Sequence, residues 1–239
     1  MTERNAAAHC VLTGAASGIG LALARRLLAD GWRVTGIDIA PAAIESEDRY
    51  AHLRCDLSDA AALQSLCAGL SGCAPTALVH CAGLVRTGGA RDTRMEDADL
   101  LWRLHGAAPI ALAGALVPQL PDGRGRIVLV SSRAVLGRSQ RLAYASTKSA
   151  QIGLARSLAA ELISRGITVN VVAPGAVDTP MLTDPKRGAP PGIALPLGRL
   201  IAADEVAATI AFFLGAEAGA ITGQTLYVCG GASLGAMAL

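Results

Sequence analysis

Aromatic residues are scarce: Trp, Tyr and Phe make up 3% of the 239 residues. A core so poor in rings must be filled by Ala, Leu, Val and Ile, and an apolar share of 52% supplies them. Charge is equally thin. Lys and Arg number 21 against 19 Asp and Glu, a formal net charge of +2, and no basic run reaches five residues. Nothing therefore indicates a nucleic-acid-binding face or an anionic-membrane patch. A continuous apolar span is also missing. Residues 61–85 and 104–121 carry no formal charge, but the first contains Gly69, Gly72, Pro75 and His80 and the second Pro109, Pro118 and Pro121. Both are expected to be buried helix and strand rather than membrane spans. No secretory pattern precedes the first strand, so a cytoplasmic location is expected. The six cysteines (Cys10, Cys55, Cys67, Cys73, Cys81, Cys229) include no C-x-x-C pair. They are expected to be free thiols in or near the core, with no metal site. Repeats and low-complexity tracts are absent.

What is present is an alternation of strands and helices. His9–Thr13 is an apolar strand that runs into Gly14-Ala15-Ala16-Ser17-Gly18-Ile19-Gly20 and then a helical pattern to Asp30. Strand, glycine turn and helix together set backbone N–H groups against a phosphate. The spacing is G-x-x-x-G-x-G, not G-x-G-x-x-G. Residues 32–37 form the next strand, ending at Asp38, eighteen residues after Gly20. A carboxylate there accepts a hydrogen bond from a ribose 2′-hydroxyl and repels a 2′-phosphate. No Arg or Lys stands in the glycine turn to offset it, so NAD is expected over NADP. Capping the turn before Pro41 is the ordinary alternative role for Asp38.

Further strands are expected at 50–55, closed by Asp56-Leu57, at 76–81, followed by Ala82-Gly83, and at 126–131, ending in Ser131-Ser132. Helices are expected at 59–70, started by Ser58 or Asp59, and over 92–120, with Gly106 and Pro109 as irregularities. Residues 167–173 form a sixth strand, followed by Pro174-Gly175-Ala176-Val177-Asp178-Thr179-Pro180. A segment rich in Pro and Gly at 181–197 is expected to act as a substrate lid. A helix at 203–214 and a strand at 224–228 complete the pattern. The fold class is therefore α/β: a single domain over 1–239, with one Rossmann-like doubly wound parallel sheet of about seven strands and helices on both faces.

The chemistry centres on residues 143–148, Ala-Tyr-Ala-Ser-Thr-Lys, at the start of a helix that stops at Gly166. Residues four apart share a helix face, so Tyr144 and Lys148 can approach one ligand. A free phenol has a pKa of about 10, and a neighbouring cation favours the phenolate. Tyr144 is then fitted to take a proton from an alcohol or return one to a ketone. Ser131 and Ser132, at the carboxyl end of a strand, are placed to bond a substrate oxygen.

In order and spacing these motifs resemble the short-chain dehydrogenase/reductase family over nearly the whole chain. Thr13-Gly14-x-x-x-Gly18-x-Gly20 matches its cofactor turn, and Asp38 the acidic residue of its NAD-preferring members. Asp56 matches the position that touches adenine. Ser132, Tyr144 and Lys148 match its catalytic set, and Pro174-Gly175 with Thr179 its nicotinamide loop. Ile221-Thr222-Gly223-Gln224 and Gly230-Gly231 look like its closing strand. The resemblance implies cofactor contacts from Gly14, Ser17, Gly18, Ile19, Gly20, Asp38, Asp56, Leu57, Cys81, Ala82, Gly83, Tyr144, Lys148, Pro174, Gly175, Val177 and Thr179. It implies hydride transfer between NAD and a small-molecule secondary alcohol or ketone. Ser132 would polarise the oxygen, Tyr144 act as acid/base, and Lys148 bind the nicotinamide ribose. It also implies a homo-oligomer, by analogy a tetramer. Ser132 is taken over Ser131 as the second of the pair, although it precedes Tyr144 by one residue fewer than in many members.

Two positions depart from the family pattern. Its Asn-Asn-Ala-Gly stands here as His80-Cys81-Ala82-Gly83, and the Asn of its Asn-Leu-x-Gly is Arg103. That Asn supports a proton relay from the lysine. Arg103 either leaves the relay to a backbone carbonyl, reshapes it, or faces solvent or a neighbouring subunit. The alternatives kept open are a reductase of acyl-carrier-protein-linked 3-oxoacyl groups, suggested by Arg133, Arg138 and Arg141 before Tyr144, and a non-catalytic dinucleotide-binding regulator.

Overall fold

A computed structural model of the chain describes residues 8–45, 47–185 and 195–234. The first half alternates β1 (His9–Thr13), α1 (Gly18–Ala29), β2 (Arg33–Asp38), β3 (Tyr50–Arg54), α2 (Ala60–Gly69) and β4 (Ala77–His80). The second half continues through α3 (Met95–Trp102), α4 (Ala108–Leu116), β5 (Arg126–Val130), α5 (Leu142–Leu162) and β6 (Thr168–Pro174). The short strands β7 (Val177–Asp178) and β8 (Ile201–Ala202) precede α6 (Ala203–Leu214) and β9 (Thr225–Val228).

Seven strands form one parallel sheet in the order β3-β2-β1-β4-β5-β6-β9. The central strands are buried throughout, as parallel strands covered on both faces must be. Successive side chains point to opposite faces. Cys10, Leu12, Val128 and Val130 pack with Leu23 and Leu27 of α1 and Ile210 and Phe213 of α6. Val11, Ile127, Leu129 and Val171 pack on the other face with Leu112 and Leu116 of α4 and Ala155 of α5. The sheet grows one way from β1 and the other way from β4. The crevice beyond the carboxyl ends of the strands at that reversal is where an open α/β sheet takes a ligand.

The single helix expected over 92–120 is divided. Between α3 and α4 lies a π turn, Arg103–Ala107, in which the Ala108 N–H donates to the Arg103 carbonyl, and a 3₁₀ turn, Val117–Gln119, follows α4. Pro109 accounts for the widening. It has no N–H, and in a regular helix its ring collides with the carbonyl four residues back, that of His105. The stretch Met95–Gln119 is long and apolar enough to cross a membrane by composition. Its Leu101, Leu112 and Leu116 side chains are fully buried in this fold. Asp59 starts α2, accepting from the Ala61 and Ala62 N–H groups. Gly166, at φ 65°, ends the last turn after α5.

Strands β7 and β8 pair with each other outside the main sheet. They hold side by side the two ends of the segment expected to be a lid. Residues 186–194 of that segment lie outside the described residues. The six cysteines are unpaired thiols, with Cys10, Cys55 and Cys229 buried.

Strand β9 is anchored by Asn170 of β6, which is fully buried. Its Nδ2 donates to the Ile221 carbonyl at 2.7 Å, and its Oδ1 accepts from the Gln224 N–H at 3.1 Å. Asn170→Leu removes both partners and leaves two backbone groups unpaired. A loss of about 2–4 kcal/mol in urea unfolding at unchanged m-value is expected.

Candidate active site

A cleft of about 980 Å³ lies beyond the carboxyl ends of β1, β2, β4, β5 and β6. Every residue assigned a site role from the sequence lines it. The glycine turn contributes Gly14, Ser17, Gly18, Ile19 and Gly20, and the ends of β2 and β3 contribute Asp38, Asp56 and Leu57. Cys81, Ala82 and Gly83 follow β4, Ser132, Tyr144 and Lys148 follow β5, and Pro174, Gly175, Val177 and Thr179 form the loop after β6.

At one end the N-terminus of α1 opens onto the cleft. Its N-cap Ser17 makes no side-chain cap, and no acidic residue stands in the first turn, so the first N–H groups of the helix remain available to an anion. Gly18 sits at φ 50°, and a Cβ there would come within 3.1 Å of Thr179 Cγ2. The turn and the β6 loop therefore close on each other across a gap that only glycine keeps open. Asp38 Oδ2 accepts from the Ala16 N–H at 2.9 Å and Oδ1 from the Ala40 N–H at 3.0 Å. The carboxylate thus caps the turn before Pro41 and is also fixed at the cleft wall. Asp56 Oδ1 accepts from both the N–H and the hydroxyl of Ser58. These features fit an adenosine diphosphate half: backbone donors for the phosphates, and carboxylate acceptors for the ribose and adenine.

At the other end α5 carries Tyr144 and Lys148, both nearly buried. The two serines behave differently. Ser131 Oγ donates its hydrogen to the Lys148 carbonyl at 2.8 Å. Ser132 Oγ accepts from the Ala134 N–H at 3.1 Å and keeps its own hydrogen to donate. Of the pair, Ser132 can still polarise a substrate oxygen.

The Lys148 ammonium donates to the Val130 carbonyl at 2.8 Å and lies 3.5 Å from Gln151 Oε1. Burial lowers its pKa to about 8, and the nearby Cys81 thiol pulls the other way. Two imidazoles stand close by. His80 Nε2 donates to the Leu104 carbonyl at 3.0 Å, which fixes the tautomer and leaves Nδ1 to accept from the Thr13 hydroxyl at 3.0 Å. Thr13 Oγ in turn accepts from the N–H groups of Cys81 and Ala82. Burial first, then the Lys148 charge, pushes His80 down to about 3. His80 therefore ties β1, β4 and the π turn together through its two ring nitrogens.

His105 was not singled out from the sequence. Its ring is fully buried and meets Tyr144 edge-on, with centroids 5.7 Å apart. Nε2 accepts from the Leu84 N–H at 3.3 Å, so Nδ1 carries the proton and donates to Thr147 Oγ at 3.0 Å. Burial, then the Lys148 and His80 neighbours, hold it well below its ordinary pKa. A Cβ on Gly83 would lie 3.1 Å from His105 Nε2 and 3.3 Å from Lys148 Nζ. A side chain at position 83 would crowd both groups. The signal in the sequence was a lone polar ring within the uncharged stretch 104–121. The Arg103 side chain is exposed, and its carbonyl is taken by Ala108. Gln151 is buried, and its Nε2 has no hydrogen-bond partner among the described residues. Among the described residues no group of three His, Cys, Asp or Glu could hold a metal.

A sequence-family model described as enoyl-(acyl carrier protein) reductase matches residues 14–233. The chain is 33% identical over 235 residues to a 3-oxoacyl-(acyl-carrier-protein) reductase of Salmonella typhimurium, covering 92% of this chain and 95% of that one. It is 32% identical over 247 residues to a (3R)-3-hydroxyacyl-CoA dehydrogenase of Rattus norvegicus, covering 94% and 95%. Among solved structures, a blue fluorescent protein from a metagenomic library in complex with NADPH superimposes with a TM-score of 0.83. It shares 29% identity, over 94% of this chain and 97% of the other.

The buried ammonium gives stability a pH signature. Lys148 has a folded pKa of about 8 against 10.5 in the free side chain. Between those values the unfolded chain binds the proton that the folded one has lost, so stability rises with pH there. Relative to Lys148→Met, the ligand-free wild type is expected to gain on the order of 3 kcal/mol on going from below pH 8 to above pH 10. Paired denaturant titrations at stepped pH measure the difference.

Proposed function

The chain belongs to the short-chain dehydrogenase/reductase family, and from that premise we propose that it is an NAD(H)-dependent oxidoreductase interconverting a secondary alcohol and a ketone. The observation that carries the reading is that Tyr144 and Lys148, one helical turn apart, line the same cleft as the glycine turn. A nicotinamide dinucleotide, when bound, supplies the hydride carrier. The chain's residues do the rest. Ser132 donates its free hydrogen to the substrate oxygen. Tyr144 exchanges a proton with that oxygen. Lys148, with two donors directed at Val130 and Gln151, has a third for a ribose hydroxyl, and its charge favours the phenolate. Pro174, Gly175, Val177 and Thr179 frame the nicotinamide. Neutral His80 and His105 brace the strand end and the helix around this group.

Asp38 supports NAD. The neighbour that holds NADPH indicates that this fold alone does not choose between the two cofactors. A second reading, reduction of carrier-linked 3-oxoacyl groups, is favoured by the three arginines on the cleft wall and by the thioester chemistry in the relatives' names. The intact Ser132, Tyr144 and Lys148 set weighs against a regulator without turnover. The working form in this reading is a cytoplasmic homo-tetramer with a small-molecule substrate and neither nucleic acid nor membrane as partner. Exposed Trp102 and Ile110 on the α3–α4 segment suit self-association.

Tyr144→Phe is expected to lower turnover about 10²–10⁴-fold while NADH affinity, read by fluorescence titration, stays within error. Comparable turnover refutes the acid/base role. In side-by-side kinetics NAD is expected to exceed NADP in kcat/KM by at least about tenfold, because a 2′-phosphate meets the Asp38 carboxylate. Equal use of the two rejects that part of the reading.

A further inference from the structure

Charge is segregated along the cleft. The lining carboxylates, Asp38 and Asp56, stand at the ends of β2 and β3. The lining cations, Arg133, Arg138, Arg141 and Lys148, all stand at the opposite end, between the close of β5 and the second turn of α5. Three guanidinium groups stand on one short segment, and among the described lining residues no carboxylate stands at that end. Such a one-signed wall concentrates anions.

The three arginines are not equivalent. Arg133 Nη1 donates to the Ala232 carbonyl at 3.0 Å, which ties its loop to the chain after β9. Arg141 is 7% exposed, and its Nη1 donates to the Gln140 carbonyl at 2.7 Å. It follows Gln140, which adopts φ 58°, a left-handed conformation that costs a non-glycine residue energy. The neighbouring backbone holds it there: the Gly88 N–H donates to the Gln140 carbonyl, and the Leu142 N–H to the Gly88 carbonyl. Arg138 lies between these two in the sequence. It is exposed on the cleft wall and, among the described residues, makes neither a salt bridge nor a hydrogen bond. The same cleft has apolar lining from Leu84, Val85, Leu100, Met181 and Leu195. In the proposed reading the dinucleotide leaves the three arginines unused, since its phosphates fall to α1, its adenosine end to Asp38 and Asp56, and its nicotinamide ribose to Lys148.

We propose that the substrate carries an anionic group, a carboxylate or a phosphate, on an apolar body, and that Arg138 binds that group with Arg141 deepening the positive field behind it. The proposal rests on the cleft being the hydride-transfer site. A planar guanidinium fork bonds either anion through two parallel N–H groups. The anion has two possible sources: the carboxylate of a short hydroxy acid, or the phosphates of a pantetheine-bearing thioester.

Two matched pairs separate them: 3-hydroxybutyrate against 3-hydroxybutyramide, and 3-hydroxybutyryl-CoA against its N-acetylcysteamine thioester. At least one anionic member is expected to exceed its neutral partner about tenfold or more in kcat/KM, and the pair that does so names the source. In Arg138→Ala that preference falls to near parity. In Arg138→Lys part of it returns, and in Arg156→Ala, which removes an exposed cation elsewhere on α5, it is kept. Parity in the wild type for both pairs overturns the proposal. So does an Arg138→Ala loss shared equally by both members. Absence of turnover with every probe counts against the hydride-transfer reading instead. Calorimetric titration of the NAD-saturated protein with the same pairs then decides the anion site, and equal affinity or no binding of either member overturns it.

Discussion

Taking an ammonium out of water costs several kcal/mol unless acceptors and neighbours are arranged around it, and the centre of this structure is arranged around Lys148. The Val130 carbonyl at the end of β5 accepts from it, and Gln151 turns its amide oxygen toward it. Both nearby imidazoles are held neutral by burial and by the same charge. Their tautomers follow from their partners, so His80 and His105 bond in opposite senses. His80 donates through Nε2, and His105 accepts through it. The polar groups beneath the cleft therefore form a set with one cation, two neutral rings and the hydroxyls of Thr13, Ser131 and Thr147 all directed. That direction leaves Ser132, alone of the serine pair, with a hydrogen to offer a ligand.

The same economy of charge shapes the cleft. Among the described lining residues the carboxylates, Asp38 and Asp56, follow β2 and β3, and the cations, Arg133, Arg138, Arg141 and Lys148, lie between the end of β5 and α5. The long axis of the site thus carries a field, negative to positive from β3 toward α5. A ligand with hydroxyls at one end and an anion at the other aligns with it.

The fold was legible in the sequence because alternating apolar strands and helices, punctuated by glycine, leave few packings open. The glycine turn, Asp38 and the Tyr144–Lys148 pair were legible because their chemistry depends on local spacing, a single helical turn or a single loop. The two histidines were not. His80 acts through a hydroxyl 67 residues away and His105 through one 42 residues away, and such distances are fixed only once the sheet has formed. The break in the long helix lay between. Pro109 announced an irregularity, but its form, a widened turn rather than a kink, depends on how the segment packs. Likewise the choice between Ser131 and Ser132 turned on which hydroxyl found the Lys148 carbonyl, a contact between α5 and the strand end that no spacing records.

That widened turn has a bearing on how the chain divides its apolar surface. Each residue advances a helix by about 100°. The one extra residue between Arg103 and Ala107 therefore rotates α4 against α3. Leu101 points to the small cluster around Tyr144 and Val85, while Leu112 and Leu116 point to the main core over β4 and β5. One continuous rod presents a single stripe and reaches a single layer. Offset by a fraction of a turn, the same length of chain serves two layers, the wall of the cleft and the floor of the sheet, and holds them in fixed phase.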